Sequence, residues 1–162
     1  MEELKVRNII IPKQGKESTN YKRFLELVKE KNIKVHISKL GDKIKIEKNV
    51  NIEILWPAEE LITSNILNNN SLVMKLSYNS FSMLFTGDIE KIAEEEIVNK
   101  YIRTNKLNTK IIKIAHHGSK TSSIQEFLNL AKPRITLIGV GANNNFGHPN
   151  EDVLKRLEDL RL

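Results

Sequence analysis

The sequence predicts an α/β fold of the layered (α+β) kind, with mixed β-sheets flanked by helices, and three observations carry that expectation. Two stretches with hairpin patterning come early, at 43–55 and 72–86. Strand–helix–strand units follow, built on the apolar runs at 111–115 and 134–140. Antiparallel pairs followed by crossover units indicate packed layers rather than one uniform parallel sheet. At 162 residues, 40% of them apolar, the chain is long enough to bury a core, and residues 1–162 read as a single domain with no repeat, linker or low-complexity tract.

The elements follow in order. Val6 to Ile11 reads as a short buried strand closed by Pro12, and the polar KQGKESTN stretch as a turn. Asn20 is placed to cap a helix in which Phe24, Leu25, Leu27 and Val28 share one face, ending near Lys31 and Asn32. Ile33 to Ile37 alternates as a strand, and Gly41-Asp42 turns the chain into the hairpin Lys43–Glu47 and Val50–Leu55. Trp56-Pro57 ends that hairpin, because the residue before proline resists helix and proline lacks a ladder donor. Ala58 to Asn70 is a loop or short helix, and Leu72–Tyr78 pairs with Phe81–Thr86 around Asn79-Ser80. Apolar residues at 89, 92, 93, 97 and 101 have helical spacing. A buried strand at 109–115 precedes a helix from Ser123 to Ala131, with Ser123 and Glu126 at capping-box spacing. Arg134 to Val140 reads as a further buried strand, and Asn150 caps a last helix with Leu154 and Leu157 inward.

Composition narrows the chemistry. The net charge of +6 favours an anionic partner such as nucleic acid or a phosphorylated polymer, though a lysine-rich solvated surface gives the same number. Lysine outnumbers arginine, and a point charge is poorly suited to reading base sequence. The absence of cysteine removes disulfides, thiolate nucleophiles and Cys-type zinc sites, leaving histidine and carboxylate as metal ligands. No stretch approaches the ~20 apolar residues of a membrane span.

The candidate site residues lie at the ends of apolar runs. The run at 111–115 stops at His116, His117, Gly118 and Ser119, delivering two imidazoles to a strand tip. On an extended tip the two side chains point to opposite sides, so one faces a metal and the other a substrate phosphate or a neighbouring carboxylate. Asp88 follows Gly87, which allows a sharp turn, so its carboxylate either faces inward as a metal ligand or caps the helix that follows. His148 sits in the glycine-rich loop GANNNFGHPN, as a ligand or as part of an ordinary turn before a helix. Asn70, Ser71 and Ser119 can line the site as substrate contacts, and a polar hairpin entry explains Asn70 and Ser71 equally well. Gly139-x-Gly141 matches neither a dinucleotide fingerprint nor a P-loop. His36 reads as structural or exposed.

Taken together, the strings at 68–73 (NNNSLV), 84–88 (LFTGD), 115–122 (AHHGSKTS) and 146–149 (FGHP) resemble the metallo-β-lactamase-fold domain of the ComEC/Rec2 competence family, which takes part in DNA uptake. AHHGSKTS is the most specific of them. The resemblance implies part of an αββα sandwich and a dinuclear metal hydrolase, a nuclease or phosphodiesterase acting on DNA. Asp88 would be the bridging carboxylate, His116 or His117 a ligand with the other near the phosphate, and His148 a ligand or proton donor to the leaving oxygen. Zinc and manganese suit such ligands alike. This fold also carries a His-x-His-x-Asp-His run near its start, whereas the histidines here are 36, 116, 117 and 148. Met1 falls about where that run would end, so the expectation is the C-terminal portion of the domain, with little activity of its own. The parent would be a membrane protein with this portion on the extracellular face. The alternatives are a fragment that only binds anionic polymer, and a standalone cytoplasmic or secreted phosphoesterase.

Overall fold

The computed structural model describes residues 5–13 and 18–160. Two of the sequence expectations, Met1 as the end of a missing motif and residues 14–17 of the polar turn before the first helix, lie outside the described residues. Strand β1 (Asn8–Pro12) and strand β2 (Lys34–Ser38) pair in parallel, joined by helix α1 (Thr19–Glu30). The second sheet has six strands in chain order. They are β3 (Lys43–Glu47), β4 (Val50–Trp56), β5 (Val73–Tyr78), β6 (Phe81–Phe85), β7 (Ile111–Lys113) and β8 (Ile135–Leu137). The first four are antiparallel, and β6, β7 and β8 run parallel to one another. The mixed, layered α/β fold expected from the order of the patterns is therefore observed.

The change from antiparallel to parallel follows from the connections. Asn79-Ser80 is a two-residue turn with Asn79 at φ 50°, which permits a hairpin between β5 and β6. β6 to β7 and β7 to β8 instead cross over through helix α3 (Lys91–Tyr101) and helix α4 (Gln125–Ala131), as parallel neighbours require. One core joins sheet and helices: Leu55, Val73, Leu84 and Ile112 pack with Ile97 of α3, with Phe127 and Leu128 of α4, and with Val153 of helix α5 (Glu151–Glu158). The short helix α2 (Ile66–Asn69) lies in the loop between β4 and β5.

Several local expectations change. Ser18, not Asn20, caps α1, its hydroxyl accepting the Tyr21 N–H at 3.1 Å. The apolar stripe of α1 is not driven into a core, since Leu25 is 43% exposed, and no α1 residue is buried among the described residues. β1 is partly exposed rather than buried. β8 is an edge strand of three residues, and alternation puts Ile135 and Leu137 together on its solvent face. Ser123 lies just outside α4 at φ 61° and forms no capping box; Glu94 of α3 takes that role, accepting the N–H groups of Ser123 and Ile124 at 2.7 and 2.8 Å. On α5, Val153 rather than Leu154 turns inward beside Leu157.

Candidate metal and phosphate site

Four loops meet at the carboxyl ends of β6 and β7, and two glycines set how closely. Gly87 has φ 58°, and a Cβ there would stand 2.5 Å from Cβ of Ser71. Gly118 has φ 79°, and a Cβ there would stand 2.8 Å from Cβ of Pro149. Any other residue at either position meets both backbone strain and collision. Backbone bonds complete the junction: the His116 N–H donates to Gly87 O and the Asn150 N–H to Gly118 O. The four sequence strings thus arrive in one place, each tied to the next.

Asp88 leaves the junction with its backbone N–H on Ser71 Oγ at 3.3 Å, and its side chain is 41% exposed. It does not cap α3, whose first turn begins at Lys91 beyond the N-cap Glu90. Its carboxylate lies 3.7 Å from His117 Nε2 and 3.8 Å from Lys113 Nζ. Lys113 alternates with the buried Ile112 and Ile114 and so reaches the opposite face of the sheet, where its ammonium also donates to Gly87 O and Ile114 O. Burial holds its pKa below the ordinary lysine value, and the neighbouring Asp88 pulls it partly back.

His116 and His117 are not on an extended tip. Both adopt left-handed backbone, at φ 47° and 56°, in the 3-10 turn Ala115–Gly118. The turn sets His116 toward Glu90 and His148, and His117 toward Asp88. His117 Nδ1 contacts Gly139 O at 2.5 Å, and a carbonyl only accepts, so Nδ1 carries the proton. In the neutral ring the Nε2 lone pair then faces the Asp88 carboxylate, and two acceptors 3.7 Å apart call for a cation or proton between them.

His116 Nδ1 is buried with no hydrogen-bond partner among the described residues, 3.5 Å from Glu90 Oε1. Nδ1 of His148 is likewise buried and unpartnered, and the two rings stand edge to face with centroids 6.0 Å apart. A buried nitrogen left unpaired costs ~1–3 kcal/mol, so two of them together mark a place where a ligand pays its way. Glu90 is firmly held, accepting from Thr121 Oγ1 and from Asn65 Nδ2, both at 3.0 Å, while its N–H donates to Asn69 Oδ1. Sequence reasoning did not single out Glu90 or Lys113. The signals were there: an acid two residues beyond Gly-Asp, and a lysine inside an otherwise apolar strand.

The expected substrate contacts occupy scaffold positions. Asn70 is buried, its amide committed to Ile62 N–H, Ile62 O and Ile66 O. Ser71 accepts from Asp88, and Ser119 shares its hydroxyl with Thr121. His36 lies far along the chain on β2, bonded to Asn8 Oδ1.

Imidazole and carboxylate are the donor types that zinc or manganese takes, and the uncommitted nitrogens fit in kind. Among the described residues, however, no three His, Asp or Glu side chains converge closely enough to hold a metal ion. The donors come as facing pairs, part of a set.

No family model matches the chain. It is 31% identical over 154 residues to ComE operon protein 3 of Bacillus subtilis, covering 95% of this chain and 19% of that protein. It is 33% identical over 108 residues to competence protein ComA of Neisseria gonorrhoeae, covering 67% of this chain and 15% of that one. The chain thus spans about a fifth or less of the length of these relatives. A crystal structure from Parabacteroides distasonis, provisionally described as a metal-dependent hydrolase, superposes with TM-score 0.50 at 16% identity over 91% of this chain and 60% of its own. At that identity the likeness bears on the fold, which is metallo-β-lactamase-like.

Proposed function

We infer that this chain, which belongs with the ComEC/Rec2 competence proteins as the counterpart of one segment of them, carries part of a hydrolytic site for phosphodiesters, with DNA as substrate. The observation that carries the reading is the pair of buried, unpartnered Nδ1 atoms of His116 and His148 beside the Asp88–His117 pair. Asp88, His116, His117 and His148 are the residues that would hold a divalent metal, zinc or manganese. When bound, such a metal supplies Lewis-acid activation of the phosphoryl group.

The chain's own groups do the rest. Lys113 offsets the charge of Asp88 and attracts an anionic phosphate into the site. Glu90, whose carboxylate lies 3.5 Å from His116 Nδ1 without a hydrogen bond, adds negative charge beside that ring and favours a cation there. His148 would serve either as a further ligand or as the proton donor to the leaving oxygen. On this reading the parent protein is membrane-associated and presents this portion outside the cell; among the described residues no helix is long and apolar enough to cross a membrane.

The test is hydrolysis of a DNA strand by the full-length protein with zinc or manganese. Asp88→Ala is expected to lower the rate at least a hundredfold, and cleavage that survives the substitution sinks the assignment. The absence of a converging trio among the described residues favours a second reading, in which this segment binds anionic polymer without cutting it. Salt-sensitive DNA binding that ignores chelators would select that alternative.

A further inference from the structure

Next to the proposed hydrolytic groups, a pocket of about 400 Å³ opens against His148 and His117, with Gly139, Val140, Gly141, Asn144 and Phe146 as its other walls. That volume lies within the roughly 300–1,000 Å³ of small-ligand pockets. Its walls are mostly apolar or bare glycine backbone, and a Cβ at Gly139 or Gly141 would meet nothing within 4 Å, so the wall stands back from its neighbours. Phe146 is 81% exposed, the most exposed of the large apolar residues described, and Val140 beside it is 37% exposed.

The exposure of Phe146 is built rather than incidental. Asn144 Oδ1 accepts the N–H groups of Phe146 and His148, both at 3.1 Å. Its Nδ2 donates to Gly141 O and His148 O at 3.0 and 2.7 Å. One side chain thus spends its whole bonding capacity on holding the loop open. The Phe146 ring lies nearly parallel to that of His148, at 24° and 5.9 Å between centroids, and the His148 ring is in turn 6.0 Å from that of His116. Three rings therefore lead outward from the buried nitrogens to the open pocket, with His148 shared by both.

We propose that this pocket is a nucleobase subsite: Phe146 stacks on a base of a single-stranded nucleic acid while the adjoining phosphate lies at His116 and His148. The proposal rests on the phosphodiester reading above and narrows its substrate class. A pocket of mostly apolar surface with an exposed aromatic ring suits a planar ring better than an anion. A base paired within a duplex hides its faces, whereas a single strand offers them, and stacking tolerates any base. That tolerance agrees with a chain in which lysine, a point charge poorly suited to base readout, outnumbers arginine.

The test compares binding of a single-stranded DNA oligonucleotide with that of an abasic strand of the same length, using the whole chain. Phe146→Ala should weaken binding to the oligonucleotide about tenfold or more and leave the abasic strand unchanged. Phe146→Trp should retain affinity, with its fluorescence quenched by the oligonucleotide and not by the abasic strand; the native Trp56 is buried, so its own emission should stay constant in both. Equal losses for both strands, no loss for either, or no preference of the native chain for the base-bearing strand each overturn the subsite. Base-dependent binding without cleavage by the full-length protein would instead defeat the hydrolytic reading and leave the subsite standing. Cleavage that is indifferent to Phe146 and to the bases would do the reverse.

Discussion

The unit at 8–38 and the unit at 43–158 are both strand-and-helix structures, yet they are held by different means. In the first, α1 has a full apolar stripe and buries none of its residues among those described; the parallel pair β1–β2 is half-exposed, with Ile37 65% exposed. In the second, α4 is shorter than α1 but puts Phe127, Leu128 and Ala131 wholly inside. The two join where the Leu40 N–H meets Pro57 O and the Gly41 N–H meets Ile54 O. Amphipathic patterning makes a helix; only a facing surface makes a core. Every candidate site residue lies in the second unit, where left-handed histidines and buried unpaired nitrogens are tolerated because the surrounding core over-determines them. His36 is the only histidine of the first unit, and it is exposed.

The contrast can be broken at several points. The largest effect expected is from Phe127→Ala, a loss of about 3–5 kcal/mol from a closely packed core, against under ~1 kcal/mol for Leu25→Ala in α1. Urea unfolding measures both, and comparable losses would erase the distinction.

A pH effect comes next. Glu94 is buried, and that burial pushes its pKa up from 4.5 to about 7, opposed by the two N–H groups it accepts and by Arg156. The folded state therefore holds a proton that the unfolded chain has already released. Stability should fall as pH rises from about 4.5 through 7 and then level off, by an amount on the order of 3 kcal/mol. Glu94→Gln should flatten that slope, and a native profile that rises across the same interval contradicts the assignment.

The smallest effects are at the helix caps. Asn150→Ala, which removes the acceptor for the Asp152 N–H, should cost ~1 kcal/mol of global stability. Ser18→Ala removes an equivalent bond from α1 but should appear as faster amide exchange in that helix with little change in global unfolding. Equal global losses would show α1 to be part of the same cooperative unit.

Much of this was legible in the residues. The hairpin patterns gave β3–β4 and β5–β6, since alternation between short turns leaves few alternatives. The positions of Asp88, the histidine pair and His148 at strand ends or in a glycine-broken loop were sufficient to bring them forward as a group. What stayed hidden depends on contacts between distant segments. Nothing local reveals that His116 and His117 are both left-handed, a conformation that L-residues avoid unless the fold imposes it. Glu94 sits in a run of three acids that reads as a solvated helix face. Its spacing to Ile97 and Tyr101 put it on the buried side, a signal that was available. Ser123 has the residue type and spacing of a cap, but the carboxylate of Glu94, distant in the chain, takes the N–H groups of Ser123 and Ile124 instead.

The proposed hydrolytic reading makes His116, His117 and His148, with Asp88, donors to one cation, although among the described residues no three of them converge as they stand. Its most direct test follows the ring nitrogens of all four histidines by nitrogen NMR while zinc is added to the chain, with Asp88→Ala alongside. The resonances of His116, His117 and His148 should move together at about one equivalent, His36 should stay still, and the movement should be weakened in the variant. Movement of His36 to the same degree, or none at the three site histidines, would contradict it.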